Sequence, residues 1–165
     1  MNKDKPTAFL DIDGVLNSQN FFKRRKQNGQ TKVSRHDDQI DPEAIEFLNE
    51  IADWNFVLSS TWRKFMPIDE MNTLLASKGF RGKIIGSTPV LNDKYSLRGN
   101  EIYAWCEENI ISGAGSFNNY VIFDDDSDML YWQRNNFIPV DSYWGIGPNH
   151  IYRAKRLISK DLDLS

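Results

Sequence analysis

The 165-residue chain holds one cysteine, Cys106, and two histidines. A lone cysteine excludes an intramolecular disulfide and a thiolate metal site. His36 and His150 stand without the partners that an imidazole metal site or a catalytic triad needs, so both read as structural or surface residues. No apolar run approaches the ~20 residues of a membrane span. The opening segment MNKDKPTAFLDID lacks the apolar core of a signal peptide. A reducing, cytosolic setting is therefore expected, with Cys106 a buried or half-buried helix residue. There is no internal repeat and no low-complexity linker. Neither sign of charge dominates: 20 Lys and Arg stand against 23 Asp and Glu, a net charge of −3. That balance does not mark a general nucleic-acid or membrane binder, although a local basic patch stays open.

What is present is a folding composition, 40% hydrophobic and 13% aromatic, sized for one domain over residues 1–165. Short apolar runs alternate with amphipathic ones. Residues 6–12 read as a strand. DPEAIEFLNEIADW reads as a helix, with Asp41 as N-cap and Pro42 in its first turn. NFVLSS is a second strand. PIDEMNTLLASKGF is a second helix, stopped by Gly79. KIIGSTPV, NYVIFDD and FIPVD are further strands. RGNEIYAWCEENI, SDMLYWQRNN and PNHIYRAKRLISKDL read as helices. This alternation predicts an α/β fold, a three-layer, doubly wound parallel sheet. Ligands of such sheets bind beyond the carboxyl ends of the strands, so the polar residues that end apolar strands are the ones to inspect.

Three strands end in unusual polar groups. The first ends in Asp11 and Asp13, followed by Gly14, which suits a positive-φ turn. The second ends in Ser59, Ser60 and Thr61. The fourth ends in Asp124, Asp125 and Asp126, with Asp128 just beyond. Taken singly, each has an ordinary reading as a turn, a helix cap or an acidic loop. Taken in order along one parallel sheet, they converge. Clustered carboxylates either bind a cation or protonate. Oxygen-only ligands with no His or Cys select a hard ion, and Mg2+ suits a few carboxylates plus water and substrate oxygen.

DIDGVL, LSS, the arginine of LRGNEI and IFDDDSD resemble the four ordered motifs of the haloacid dehalogenase (HAD) superfamily, over roughly residues 6–145. Within it the chain is similar to capless phosphatases of the polynucleotide 3′-phosphatase type and to RNA-repair-associated domains. The resemblance implies a Rossmann-like HAD fold and a Mg2+-dependent phosphomonoesterase. It implies Asp11 as the nucleophile that becomes an aspartyl-phosphate, and Asp13 as the general acid and base. It implies Ser59 or Ser60, with Gly14, as phosphate ligands, and Arg98 or Lys94 as the cation that neutralises the transferring group. For the metal it implies Asp11, Asp125 and Asp124, together with Asp13 through its backbone carbonyl; Asp124 and Asp128 serve as ligands or orient bound water.

The insertion at about 17–40 is short, so an essentially capless, open site is expected. It carries KRRK at residues 23–26, then Lys32 and Arg35, behind Phe21 and Phe22. Two readings stand: a solvated charged turn, or a basic lip that guides a polyanion. Phe21 and Phe22 either stack on bases or anchor the loop. Trp54, Trp105 and Trp132 sit at helical spacings and read as packing residues, whereas Trp62 is the tryptophan expected to line the site. The expected substrates are nucleic-acid terminal phosphates or nucleotides first, then phosphoproteins, then small-metabolite esters. A phosphotransferase would use the same site. A binding module that keeps the fold without catalysis is the rival of another class; the retention of Asp11 and Asp125 argues against it. Oligomeric state is not legible.

Overall fold

The computed structural model describes residues 5–30, 39–91, 97–109 and 119–162. Five strands form one sheet: β1 (Thr7–Leu10), β2 (Asn55–Leu58), β3 (Ile84–Ser87), β4 (Tyr120–Asp124) and β5 (Phe137–Pro139). Their order is β3-β2-β1-β4-β5 and every pairing is parallel. The helices are α1 (Gln19–Gln27), α2 (Pro42–Leu48), α3 (Ile68–Ser77), α4 (Arg98–Asn109) and α5 (Pro148–Leu162).

Strand alternation divides the core into two faces. Ala8, Leu10, Phe56, Leu58, Val121 and Phe123 point to one face, where α2, α3 and α5 pack. Phe9, Val57, Tyr120 and Ile122 point to the other, where Ile102, Trp105 and Cys106 of α4 meet them. Burial on both faces explains why these strands are apolar throughout. Cys106 is buried, and burial pushes its thiol up to about 12. Trp105 sets its ring edge-on to Phe9 at 5.4 Å. Trp54 is half-buried against the first face.

The helix starts follow from local chemistry. Asp41 accepts the Glu43 amide at 3.0 Å with Pro42 in the first turn, and Ser18 accepts the Phe21 amide at 3.1 Å. Gly79 ends the α3 segment at φ +92°. Among the described residues, no helix is long and apolar enough to cross a membrane.

The segment expected as a helix at SDMLYWQRNN is instead a short 3-10 turn over Tyr131–Asn135. Side chains compete here with the helical ladder. Asp124 accepts the Asp126 amide at 3.0 Å, and Asp128 accepts the Arg98 amide at 2.9 Å. Gln133 is buried and accepts the Leu130 amide while donating to the Gly99 carbonyl, both at 2.9 Å. Trp132 is consequently not a packing residue: it is 61% exposed.

Candidate active site

The strand order reverses between β1 and β4, and this is where an α/β sheet opens a crevice at its carboxyl edge. β1 and β4 are directly hydrogen-bonded neighbours there, with the Asp11 amide donating to the Phe123 carbonyl at 3.0 Å. On the other side the Ser59 amide donates to the Leu10 carbonyl at 2.8 Å. The three polar strand ends therefore meet.

Asp11, Asp124 and Asp125 each offer a carboxylate oxygen, and these oxygens lie within 4.8 Å of one another. Asp11 and Asp124 are buried and Asp125 is exposed. Burial pushes Asp11 up to about 6, opposed by a hydrogen bond from Ser60 and by the charge of Arg98. Burial, and then the charge of Asp11, push Asp124 up to about 8. Asp125 is also raised, by burial first and then by Asp126. One buried oxygen of Asp124, Oδ2, has no hydrogen-bond partner. Crowded, desolvated carboxylates, with only the Arg98 guanidinium at 3.5 Å opposite that oxygen, are what a hard divalent cation relieves. The residues fit such an ion.

Gly14 belongs to this cluster for a steric reason. It sits at φ +75°, and a Cβ there would come within 2.3 Å of an Asp125 carboxylate oxygen. The loop after β1 and the loop after β4 touch at this point, and only hydrogen fits between them.

Asp13 is held apart from the Asp11–Asp124–Asp125 cluster. Its carboxylate is gripped by the Trp62 indole N–H, at 3.1 Å to each oxygen, and by the Asn17 amide at 2.7 Å. Asn17 in turn accepts the Gly14 amide at 3.0 Å. Trp62 is 3% exposed, so its ring is fixed by packing and its N–H is aimed by it.

The two serines divide. Ser60 hydrogen-bonds Asp11 and accepts the Trp62 amide at 3.4 Å. Ser59 is buried and its hydroxyl has no partner. Thr88, buried just past β3, carries a second such hydroxyl.

Arg98, the first residue of α4, lies with Nε 3.5 Å from Asp124 and Nη1 3.2 Å from Glu101. Lys94, its rival, lies outside the described residues. Behind Arg98 is a group that sequence reasoning missed. Arg63, whose side chain is almost wholly buried, pairs with Glu101 and donates to the carbonyls of Ser60 and Pro89. Glu101 also accepts the Leu91 amide at 3.4 Å. Arg63–Glu101–Arg98 thus ties the loops after β2 and β3 to α4 and fixes the guanidinium that faces the carboxylates. Asp128 is engaged elsewhere. One of its oxygens accepts the Arg98 amide at 2.9 Å, capping α4, and the carboxylate cluster does not include it.

His150 is remote from this chemistry, accepting the Gly147 amide at 2.9 Å; His36 is outside the described residues. In the basic insertion, Arg24 is tied to Asp41 at 2.7 Å and Glu43 at 2.6 Å. Arg25 stands over Phe21, which is buried and anchors α1 to the body. Lys32 and Arg35 lie outside the described residues.

No curated protein matches the chain. A family model does, over residues 7–151, from the first residue of β1 into α5. The three polar strand ends and Arg98 at the start of α4 all fall within that span. The chain belongs to the family described as the HAD domain in Swiss Army Knife RNA repair proteins.

Proposed function

We propose that this HAD-type phosphatase is a Mg2+-dependent phosphomonoesterase. It works through an aspartyl-phosphate on Asp11 and acts on terminal phosphates of nucleic acid. The observation that carries the reading is the division of labour among the aspartates. Asp11 lies with Asp124 and Asp125 in one cluster, and Asp13 is held outside it by two N–H donors. The family description, with its RNA repair proteins, supports the choice of a polynucleotide end.

Asp11, Asp124 and Asp125 would hold Mg2+, with the Asp13 backbone carbonyl. When bound, the ion supplies positive charge that offsets repulsion between carboxylate and phosphate. Asp11 attacks phosphorus, an O–P bond forms, and the ester O–P bond breaks. Asp13 gives its proton to the departing oxygen. Asp13, now ionised, takes a proton from water as that water attacks the acyl-phosphate. Inorganic phosphate leaves and Asp11 is restored. Arg98 faces the negative charge that builds on the transferring group. The unpartnered Ser59 hydroxyl is the donor available to a phosphoryl oxygen, while the single O–H of Ser60 is spent on Asp11.

The test is a Mg2+-supplemented screen of 3′- and 5′-phosphorylated oligonucleotides, nucleotides, phosphopeptides and sugar phosphates. An oligonucleotide end should give the highest kcat/KM. Absence of phosphate release from every class would overturn the reading. Two variants sharpen it. Asp13→Asn should lower kcat by about 10²–10⁴ for an alkyl phosphate, and by less for a dinitrophenyl ester, whose leaving group needs no proton. Its deficit on the aryl ester should persist only in the second step, giving a burst of phenolate. Trp62→Phe keeps the buried ring and removes one N–H. A hydrogen bond to a charged group contributes ~1.5–3 kcal/mol, so turnover should fall roughly 10- to 100-fold with the same dependence on leaving group. A drop equal for both esters would mean that Trp62 only packs.

A further inference from the structure

The cations expected to meet a polyanion were those of residues 23–26, yet Arg24 there is neutralised by two carboxylates. A different set of arginines lies elsewhere. Arg134 in the turn after β4, and Arg153 and Arg156 on α5, surround a groove of about 350 Å³ with Asn135, Phe137 and Leu157. Among the described residues none of the three is paired with a carboxylate. Three arginines thus stand together with no carboxylate among the described residues to compensate them, in a chain of net charge −3.

Aromatic rings continue this groove on both sides. The Arg134 guanidinium lies 4.0 Å from the centre of the Tyr131 ring, and Tyr131 is 73% exposed. Trp132, next in the chain, stands against Tyr103 of α4 at 6.1 Å, and Glu107 holds the Tyr103 hydroxyl at 2.7 Å. At the far end Arg156 lies 5.8 Å from the ring of Tyr152, which is also exposed. The strip therefore reads Tyr103, Trp132, Tyr131, Arg134, the two α5 arginines, then Tyr152. It wraps the β5 edge of the sheet from α4 to α5. Its α4 end is on the helix that begins with Arg98; at 1.5 Å rise per residue, Tyr103 is about 7–8 Å along that axis. The Gln133 side chain bonded to Gly99 locks the turn to the same first turn of α4.

We infer that this strip is a binding track for single-stranded polynucleotide leading away from the phosphate site. Phosphates pair with the arginines, and bases stack on the exposed rings. Combining cations with exposed aromatic faces is how proteins hold single strands without reading sequence. A protein partner would be drawn to the rings but would need its own acidic groups for three arginines, whereas a polynucleotide brings one charge per nucleotide. The inference rests on the polynucleotide reading of the substrate, but it is tested by binding alone.

The probe is a fluorescein-labelled, unphosphorylated single-stranded RNA of about a dozen nucleotides, titrated by anisotropy without Mg2+ across a salt series. Wild-type protein should bind it, with quenching of tryptophan fluorescence that Trp132→Ala reduces. Arg134→Gln/Arg153→Gln/Arg156→Gln should weaken binding at least tenfold. It should also flatten the slope of log K against log salt by about 2, at ~0.7 per lost phosphate contact. Lys23→Gln/Lys26→Gln should stay within about twofold of wild type. All three arginines are exposed, so the melting temperature should hold; single Arg134→Gln gives a smaller loss of the same kind if the triple variant does not fold. Unchanged affinity and slope in the arginine variants overturn the track. So does self-association of the wild type that these variants abolish without any strand binding, which would make the strip an interface between copies. Wild-type protein that binds the strand but releases no phosphate from any ester leaves the track standing and removes the phosphatase reading.

Discussion

Asp11→Asn is expected to abolish turnover of every phosphate ester while leaving the fold intact or firmer. An amide cannot form the acyl-phosphate, and loss of a nucleophile that acts as part of a unit costs roughly 10⁴-fold or more. The stability side runs the other way. Asp11 is raised from 3.8 to about 6 because it is buried beside other carboxylates. Its ionised form therefore destabilises the metal-free fold at neutral pH. Removing that charge should hold or raise the melting temperature in EDTA at pH 8. Measured together, a dead enzyme with an undiminished Tm separates lost chemistry from lost structure. Phosphate release at near the wild-type rate would sink the covalent mechanism, and a collapsed Tm would show that Asp11 is needed for packing.

The parts of this molecule that rest on local periodicity are legible in the amino-acid sequence alone. β1, β2 and β4 alternate between two apolar faces and so appear as unbroken hydrophobic runs. The cap of α2 is one-residue chemistry, whereas α1 and its Ser18 cap are hidden inside a segment that looks like a charged loop. The carboxylate cluster is legible for a related reason: each member ends or directly follows a strand, and a parallel sheet brings strand ends together. What escapes depends on pairs distant in sequence. Arg63 and Glu101 are 38 residues apart, and nothing in TWRK or RGNE marks them as one buried ion pair. The turn at Tyr131–Asn135 escapes because Gln133 spends its amide on Leu130 and Gly99, a long-range bond that overrides a helical pattern. The same bond leaves Tyr131 and Trp132 outside the core. The KRRK segment shows the converse: a charge run visible in sequence, of which Arg24 is compensated in the fold by Asp41 and Glu43.

Chelation is expected to stop turnover completely, and to expose a pH dependence of stability that Mg2+ suppresses. Burial raises Asp124 from 3.8 to about 8 and Asp11 from 3.8 to about 6, and it raises Asp125 as well. For a group whose folded pKa is raised, the contribution is fully present below the unfolded value and is lost as pH climbs through the folded one. Metal-free protein should therefore lose stability steadily between about pH 4 and pH 8. His150 acts in the opposite sense. Burial lowers its pKa, so its contribution is present above its ordinary value and is lost as pH falls. The carboxylate part is isolated by Asp124→Asn, which should flatten the slope between pH 5 and pH 8 without touching the His150 part. Bound at the folded cluster, Mg2+ would compete with protons there. Its stabilisation should thus be larger at pH 8 than at pH 5, by on the order of 5 °C or more in Tm at saturating ion. Mg2+ should restore turnover after EDTA and Ca2+ should do so poorly, because its looser, larger shell does not keep the octahedral order of Mg2+. Thermal melts in EDTA and in Mg2+ at the two pH values, paired with phosphate release, decide the matter. A metal-free pH slope that Asp124→Asn leaves unchanged, or activity that survives chelation, would show that Asp11, Asp124 and Asp125 are not a cation site.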